Sequence, residues 1–218
     1  MMALAHACQS GRIDARIALV LSDRPDAAGL TAAATLGLPT ATIAAAGTAE
    51  RAQFEAALIE TIDRTGAGLV ALAGFMRILS PSFVQRYTGR LLNIHPSLLP
   101  AYKGLHTHRR ALEAGEREHG ASVHFVTAEL DGGPVICQAR VAVRPEDTEQ
   151  TLAARVLQQE HRLYPLALEL IAAGRIELKE AEIVFDGHAL RAPLELDQLH
   201  AGAGGRLRHL EPGRERAE

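Results

Sequence analysis

Cysteine, lysine and long apolar runs are all scarce in this 218-residue chain, and each scarcity excludes a class of protein. The two cysteines, Cys8 and Cys137, are isolated and far apart, which argues against a disulfide framework and a thiolate metal site and for reduced thiols. The only lysines are Lys103 and Lys179, so nearly all positive charge is arginine. Together with alanine-rich helices this reads as a composition bias, not a functional signal. No apolar run approaches the ~20 residues of a membrane span, and the alanine-rich start, with His6 inside it, does not have the pattern of a signal peptide. The 23 Lys+Arg and 26 Asp+Glu nearly cancel, leaving a net charge of −3 and no basic surplus for nucleic acid or an anionic membrane. A cytoplasmic protein acting on small molecules fits what remains.

What is present alternates. Residues 16–22, 39–43, 68–73 and 90–94 are short apolar runs, separated by helical patterns at 26–36, 48–64 and 81–87. Apolar strands divided by helices imply crossovers and a parallel sheet buried on both faces. The first half is therefore expected to be a doubly wound α/β layer. Thr48 is expected to cap one helix, with Phe54, Leu58, Ile59 and Ile62 as its buried stripe, and Ser80-Pro81 to open another. Residues 121–127 and 135–143 read as two strands joined by a turn-rich loop, and 148–173 as one long helix with Pro165 marking a kink or break. A small terminal hairpin is expected from 175–178 and 183–185. Domain organisation is read as a catalytic domain over 1–187 and a flexible tail over 188–218, with order fading most from 200 on.

The densest polar signal is Asn93-Ile94-His95-Pro96-Ser97-Leu98-Leu99-Pro100, followed later by Asp131-Gly132-Gly133. On a strand, Asn93 and His95 point to one side and Ile94 to the other. An amide, an imidazole and a carboxylate in one pocket suit acyl transfer to an amine. The amide donates to the developing oxyanion, the imidazolium polarises or passes a proton, and the carboxylate tunes the imidazole and accepts a proton. Ser97 has no Gly-x-Ser-x-Gly elbow, which disfavours a serine nucleophile. His106 and His108, with His119 and His124 nearby, have no completing Cys or acidic ligands, so they read as surface or loop histidines and no metal is expected.

Five ordered blocks carry a resemblance. Leu72-Ala73-Gly74-Phe75-Met76-Arg77-Ile78-Leu79, the Asn93 to Pro100 segment, Gly104-Leu105-His106-Thr107-His108, Gly120-Ala121-Ser122-Val123-His124-Phe125-Val126 and Glu129-Leu130-Asp131-Gly132-Gly133-Pro134 are similar to the phosphoribosylglycinamide formyltransferase family. The resemblance runs from about Met1 to Leu178. It implies a Rossmann-like formyltransferase fold, largely parallel with helices on both faces, and formyl transfer from 10-formyltetrahydrofolate to the amine of glycinamide ribonucleotide in purine (IMP) synthesis. By it, Asn93, His95 and Asp131 are catalytic. Arg51, Met76, Arg77, Ile78, Leu79, Asn93, Thr127, Ala128, Glu129, Leu130 and Asp131 face folate, and Leu157, Gln158, Gln159 and Glu160 hold the ribonucleotide. A monomer or weak homodimer is implied.

The chain departs from that family at its start. Members begin with an apolar strand and a Gly-Ser-Asn loop that cradles phosphate. Met1 to Cys8 instead resembles the helix after that loop, so the first strand and the phosphate cradle are expected to be missing and the true start to lie upstream. Alternative readings are a formyltetrahydrofolate hydrolase, a methionyl-tRNA formyltransferase-like enzyme, or an inactive truncated folate-binding paralogue.

Overall fold

Brief apolar runs become brief strands, and the amphipathic stretches between them become the helices that cover those strands. The structure, a computed structural model, describes residues 1–44 and 51–197. The chain enters as α1 (Met2–Gln9) and continues through β1 (Val20–Ser22), α2 (Ala28–Thr35), β2 (Thr40–Thr42) and α3 (Arg51–Thr65). Next come β3 (Val70–Leu72), α4 (Pro81–Arg86), β4 (Leu91–His95) and α5 (Thr107–Glu113). The second half holds β5 (Glu118–Phe125), β6 (Val135–Ala142) and α6 (Glu149–Ala172), then β7 (Ile176–Lys179), β8 (Glu182–Phe185), β9 (His188–Ala189) and β10 (Leu194–Glu195). The capped start expected at Thr48 and the tail from 198 on lie outside the described residues.

Pairing departs from the single layer expected for the first half. β1 and β2 form a parallel sheet of their own, whereas β10, β6, β5, β4 and β3 lie side by side in a second sheet. In the second sheet β3 runs parallel to β4 and β10 to β6, while β4, β5 and β6 are mutually antiparallel. β1 and β3 thus each have one strand neighbour among the described residues. Ala71, Thr40 and Thr42 are exposed, so the burial on both faces expected for the first-half strands does not hold at these residues. β7, β8 and β9 make a small antiparallel meander, of which the expected terminal hairpin is the first part.

The tail does not begin at residue 188. β9 extends the meander, and β10 joins β6 with Leu194 opposite Cys137. Leu190, Leu194 and Leu196 explain this, because all three pack into the main core. Pro165 neither breaks nor ends α6, which runs unbroken over 24 residues behind a Thr148 capping box closed with Thr151. A proline costs one intrahelical bond, and here tertiary burial of Leu163, Tyr164, Leu166 and Ala167 outweighs it.

Two cores flank β4. On one side Leu92 packs with Val123, Phe125, Ile136, Leu152, Val156 and Leu163 beneath α6. On the other, Leu91 packs with Phe54, Leu58, Phe83, Val84 and Tyr87 from α3 and α4. The Tyr164 hydroxyl crosses between them, donating to the Leu72 carbonyl at 3.0 Å and the Leu92 carbonyl at 3.2 Å. Burial raises the Tyr164 pKa well above its usual value, so the hydroxyl stays a donor. We expect Tyr164→Phe to lower unfolding free energy by about 1–2 kcal/mol, the range for a buried donor removed from its acceptors. Urea denaturation checks this, and a loss within about 0.3 kcal/mol of zero means that the strand carbonyls do not depend on this hydroxyl.

Candidate active site

The C-terminal end of β4 presents Asn93 and His95 on the same side, and antiparallel pairing sets His124 of β5 directly opposite Asn93. Asp131 comes from the loop between β5 and β6 and closes the group. Its Oδ2 lies 3.4 Å from His95 Nδ1, and its Oδ1 lies 3.8 Å from His124 Nε2. The loop turns sharply to achieve this, with Asp131 in the left-handed region at φ +46°. Gly133 has no alternative, because a Cβ there would sit 1.8 Å from the Phe125 carbonyl oxygen.

Hydrogen-bond logic fixes the states of the two rings. His124 Nδ1 is 3.0 Å from the Phe125 carbonyl, which only accepts, so Nδ1 carries hydrogen. Burial depresses the His124 pKa and keeps the ring neutral, which leaves Nε2 as an acceptor. Asn93 Nδ2, 3.2 Å away, donates to that lone pair, and the orientation of the amide follows. His95 differs. Its Nε2 meets the Tyr102 carbonyl at 3.0 Å, an acceptor, so Nε2 carries hydrogen, and its Nδ1 faces Asp131 Oδ2. The Asp131 contact, at 3.4 Å, is long for a hydrogen bond.

Asp131 Oδ2 also accepts from the Gly104 backbone N–H at 2.9 Å. A carboxylate only one-tenth exposed is therefore held by a backbone donor as well as by the imidazole.

Of the four histidines read as surface or loop residues, His106 is exposed just before α5 and His108 is half-buried on it, but the two on β5 differ. His119 and His124 lie on β5 and are buried, because β5 is an inner strand with α6 on one side and the 96–105 turn on the other. His119 Nε2 and His108 Nδ1 have no hydrogen-bond partner, and their rings stack edge to face at 5.1 Å. Burial first, and then the nearby His108, push the His119 pKa down to about 4. Among the described residues no group of three or more His, Cys, Asp or Glu is arranged to hold a metal.

The remaining segments divide. Residues 76–79 follow β3, whose Leu72 pairs with Asn93, so this loop opens beside the trio. Met76 and Ile78 are exposed, Arg77 reaches Asp23 at 2.7 Å, and Leu79 packs inward against the α3–α4 core. Arg51 meets Glu55 at 3.2 Å, and Glu55 in turn accepts from the Ser80 backbone N–H at 2.7 Å and from the Ser80 hydroxyl. Burial pushes the Glu55 pKa up, but these donors outweigh it and hold the carboxyl below its ordinary range. The buried Glu55 thus ties Arg51 to the far end of the 76–79 loop.

Thr127, Ala128, Glu129 and Leu130 lead into Asp131. Glu129 pairs with Lys103 at 2.7 Å, and Leu130 lies near the Gly104 backbone. Leu157, Gln158, Gln159 and Glu160 sit on α6, and no hydrogen bond or ion pair among the described residues joins them to the trio. Burial raises the Glu160 pKa, while the amino-terminal ammonium opposes that shift.

Sequence reasoning missed three contributors. His124 orients Asn93. Tyr102 binds His95 through its backbone carbonyl, which no side-chain pattern reveals. Leu105 is two-thirds exposed beside Gly104. A large apolar side chain within a glycine- and histidine-rich block is the signal that could have found it.

Residues 1–168 match the formyl transferase family, and the chain belongs to it. Within that family it is 50% identical over 190 residues to the phosphoribosylglycinamide formyltransferase of Escherichia coli (strain K12), covering 87% of this chain and 90% of that one. The solved phosphoribosylglycinamide formyltransferase of Coxiella burnetii superposes with a TM-score of 0.84 at 47% identity, covering 88% and 91% of the two chains. A formyltetrahydrofolate deformylase from Burkholderia mallei is more distant, with 32% identity, a TM-score of 0.76 and 64% of its length covered.

The buried histidines set an acid limit on stability. His119 folds with its pKa lowered from 6.5 to about 4, so the unfolded chain binds more protons between those values and stability falls as pH drops through that window. We expect its share to reach on the order of 3 kcal/mol below pH 4, with full stability kept above 6.5. His119→Gln, which cannot protonate, is expected to flatten the fall in unfolding midpoint from pH 6.5 to 4 without abolishing it. His108 and His124 are depressed in the same direction and remain. An unchanged acid slope in the variant removes His119 as its source.

Proposed function

We propose that Asn93, His95 and Asp131 transfer the formyl group of 10-formyltetrahydrofolate to the amine of glycinamide ribonucleotide, a step of purine (IMP) biosynthesis. The observation that carries this reading is the convergence of an oriented amide, an imidazole anchored on the Tyr102 carbonyl and a carboxylate one-tenth exposed at one strand end. As the amine attacks, the second N–H of Asn93 and the imidazolium of His95 stabilise the oxygen that gains charge. Asp131 keeps His95 oriented and takes up the amine proton; collapse of the adduct then breaks the bond between the formyl carbon and N10 of the folate, and the departing nitrogen takes its proton from His95. Because the nucleophile belongs to the substrate, no enzyme serine or cysteine takes part.

Folate fits the surface around the trio. Met76, Ile78, Leu105, Leu130 and Leu157 are the large apolar side chains exposed among the described residues. All but Leu105 fall on segments assigned to a ligand, and Leu105 adjoins Gly104. Apolar groups left in water beside a polar pocket mark a site for an aromatic or apolar ligand. Arg51, Arg77, Leu79, Thr127, Ala128 and Glu129 complete the proposed folate surface, with Leu79 contributing backbone because its side chain is packed away. Leu157, Gln158, Gln159 and Glu160 would take the ribonucleotide, with the Glu160 carboxylate on ribose hydroxyls.

The hydrolase reading is not favoured, since similarity to the deformylase is lower, in identity and in the share of that protein covered, than similarity to the Escherichia coli and Coxiella burnetii formyltransferases. The proposal includes a cytoplasmic protein acting as a monomer or weak homodimer. The compartment is supported by the two free thiols, and the oligomeric state rests on the family resemblance alone.

Asp131→Asn keeps the shape of the side chain and removes its charge. We expect kcat to fall by at least about 100-fold while the folded fraction stays unchanged. Turnover within tenfold of the parent in a steady-state assay takes Asp131 out of its assigned role.

A further inference from the structure

His95 and Asp131 are held by the same three-residue turn. The Tyr102 carbonyl accepts from His95 Nε2 at 3.0 Å, and two residues later the Gly104 N–H donates to Asp131 Oδ2 at 2.9 Å. The turn takes an unfavourable path. Tyr102 at φ +56° occupies the left-handed region, as does His106 at φ +57° two residues beyond the turn, a conformation that disfavours non-glycine residues. Such a conformation persists only where its surroundings over-determine it.

Those surroundings are two side chains outside the reacting group. Arg110 donates from Nη1 to the Lys103 carbonyl at 2.7 Å and lays its guanidinium over the Tyr102 ring at 5.3 Å. A longer contact reaches the Leu105 carbonyl at 3.4 Å. Glu116 accepts from the Tyr102 hydroxyl at 2.6 Å. The Tyr102 ring is thus gripped at its face and its tip, with His119 meeting its edge at 6.0 Å. Arg110 and Glu116 are both exposed, so their bonds add little to global stability. What they constrain is the direction of one carbonyl and one N–H.

We propose that Arg110 and Glu116 are positioning residues for formyl transfer, acting through Tyr102 to hold the 102–104 turn against His95 and Asp131. The inference rests on the roles assigned above to those two residues. Loosening the grip lets the Tyr102 carbonyl drift from His95 Nε2, so the imidazolium loses an acceptor and Asp131 a donor. Among the described residues, the 76–79 loop and the 157–160 segment make no hydrogen bond or ion pair with the turn, whereas Glu129 and Leu130 border it through Lys103 and Gly104. The loss therefore falls on kcat, the ribonucleotide KM stays in place and the folate KM moves less than kcat.

A double-mutant cycle on the full chain tests this. Tyr102→Phe and Glu116→Ala are each expected to lower kcat roughly fivefold, the equivalent of about 1 kcal/mol, with the ribonucleotide KM and the thermal midpoint unchanged and the folate KM shifted by less than about twofold. The double variant is expected to fall no further, since both substitutions break one bond. Arg110→Ala is expected to lower kcat similarly and Arg110→Lys, which still donates to the Lys103 carbonyl, to recover part of it. Imidazole NMR gives a readout that needs no turnover. The His95 Nε2–H proton should move upfield in Tyr102→Phe, Glu116→Ala and Arg110→Ala as its carbonyl partner recedes.

The idea is overturned by kcat within twofold of the parent, by additive losses in the double variant, by losses that track unfolding, or by an unmoved His95 signal. His95→Ala separates the two levels of argument. If that variant keeps turnover, the catalytic assignment fails, and the grip is then judged on the NMR signal alone.

Discussion

Asp131 holds a charge in a place with little water, and much of the architecture around it follows from that. A carboxylate removed from solvent loses several kcal/mol of hydration unless donors replace it. Here the donors are the backbone N–H of Gly104 at 2.9 Å and the His95 ring at 3.4 Å. The first requires the 102–104 turn to fold over the β5–β6 loop. The second requires β4 to end where it does, with His95 as its last residue. The loop itself must turn left-handed at Asp131 and pass close to β5 at Gly133, which explains why glycine follows the acid.

One short region therefore holds four histidines in different surroundings. His124, His119 and His108 have their pKa values depressed, in each case first by burial, and nearby His95 adds to the depression. His95 instead donates from Nε2 to the Tyr102 carbonyl and turns its other nitrogen toward Asp131. The neighbouring carbonyls and carboxylate decide what each ring can do.

How much of this was legible depended on whether the information was local. Asn93 and His95 could be placed on one side of a strand because alternation along an apolar run is a local property. Asp131 was reachable through its block of turn residues and the family resemblance. The helices read well for the same reason, down to Ser80 as a cap. His119 and His124 were misjudged because a histidine inside an apolar run is compatible with either burial or exposure, and strand order decides between them. The separation of β1 and β2 from the main sheet, and the addition of β10 beside β6, are pairings between distant segments that no window of sequence contains. Tyr102 escaped because its contribution to His95 is a peptide carbonyl, which every residue has.

Leu91 and Leu92 are neighbours in the chain but belong to different cores, one beneath α3 and α4 and the other beneath α6. β4 is thus a shared wall, and its next residues are Asn93 and His95. A methyl group added or removed in either core presses on that wall or leaves it unsupported, and close-packed interiors pass such displacements along without absorbing them. Substitutions far from any ligand can therefore shift the reacting groups by fractions of an ångström. For this chain, packing volume is an evolutionary constraint on turnover as well as on stability, and the two sides of β4 must change in step.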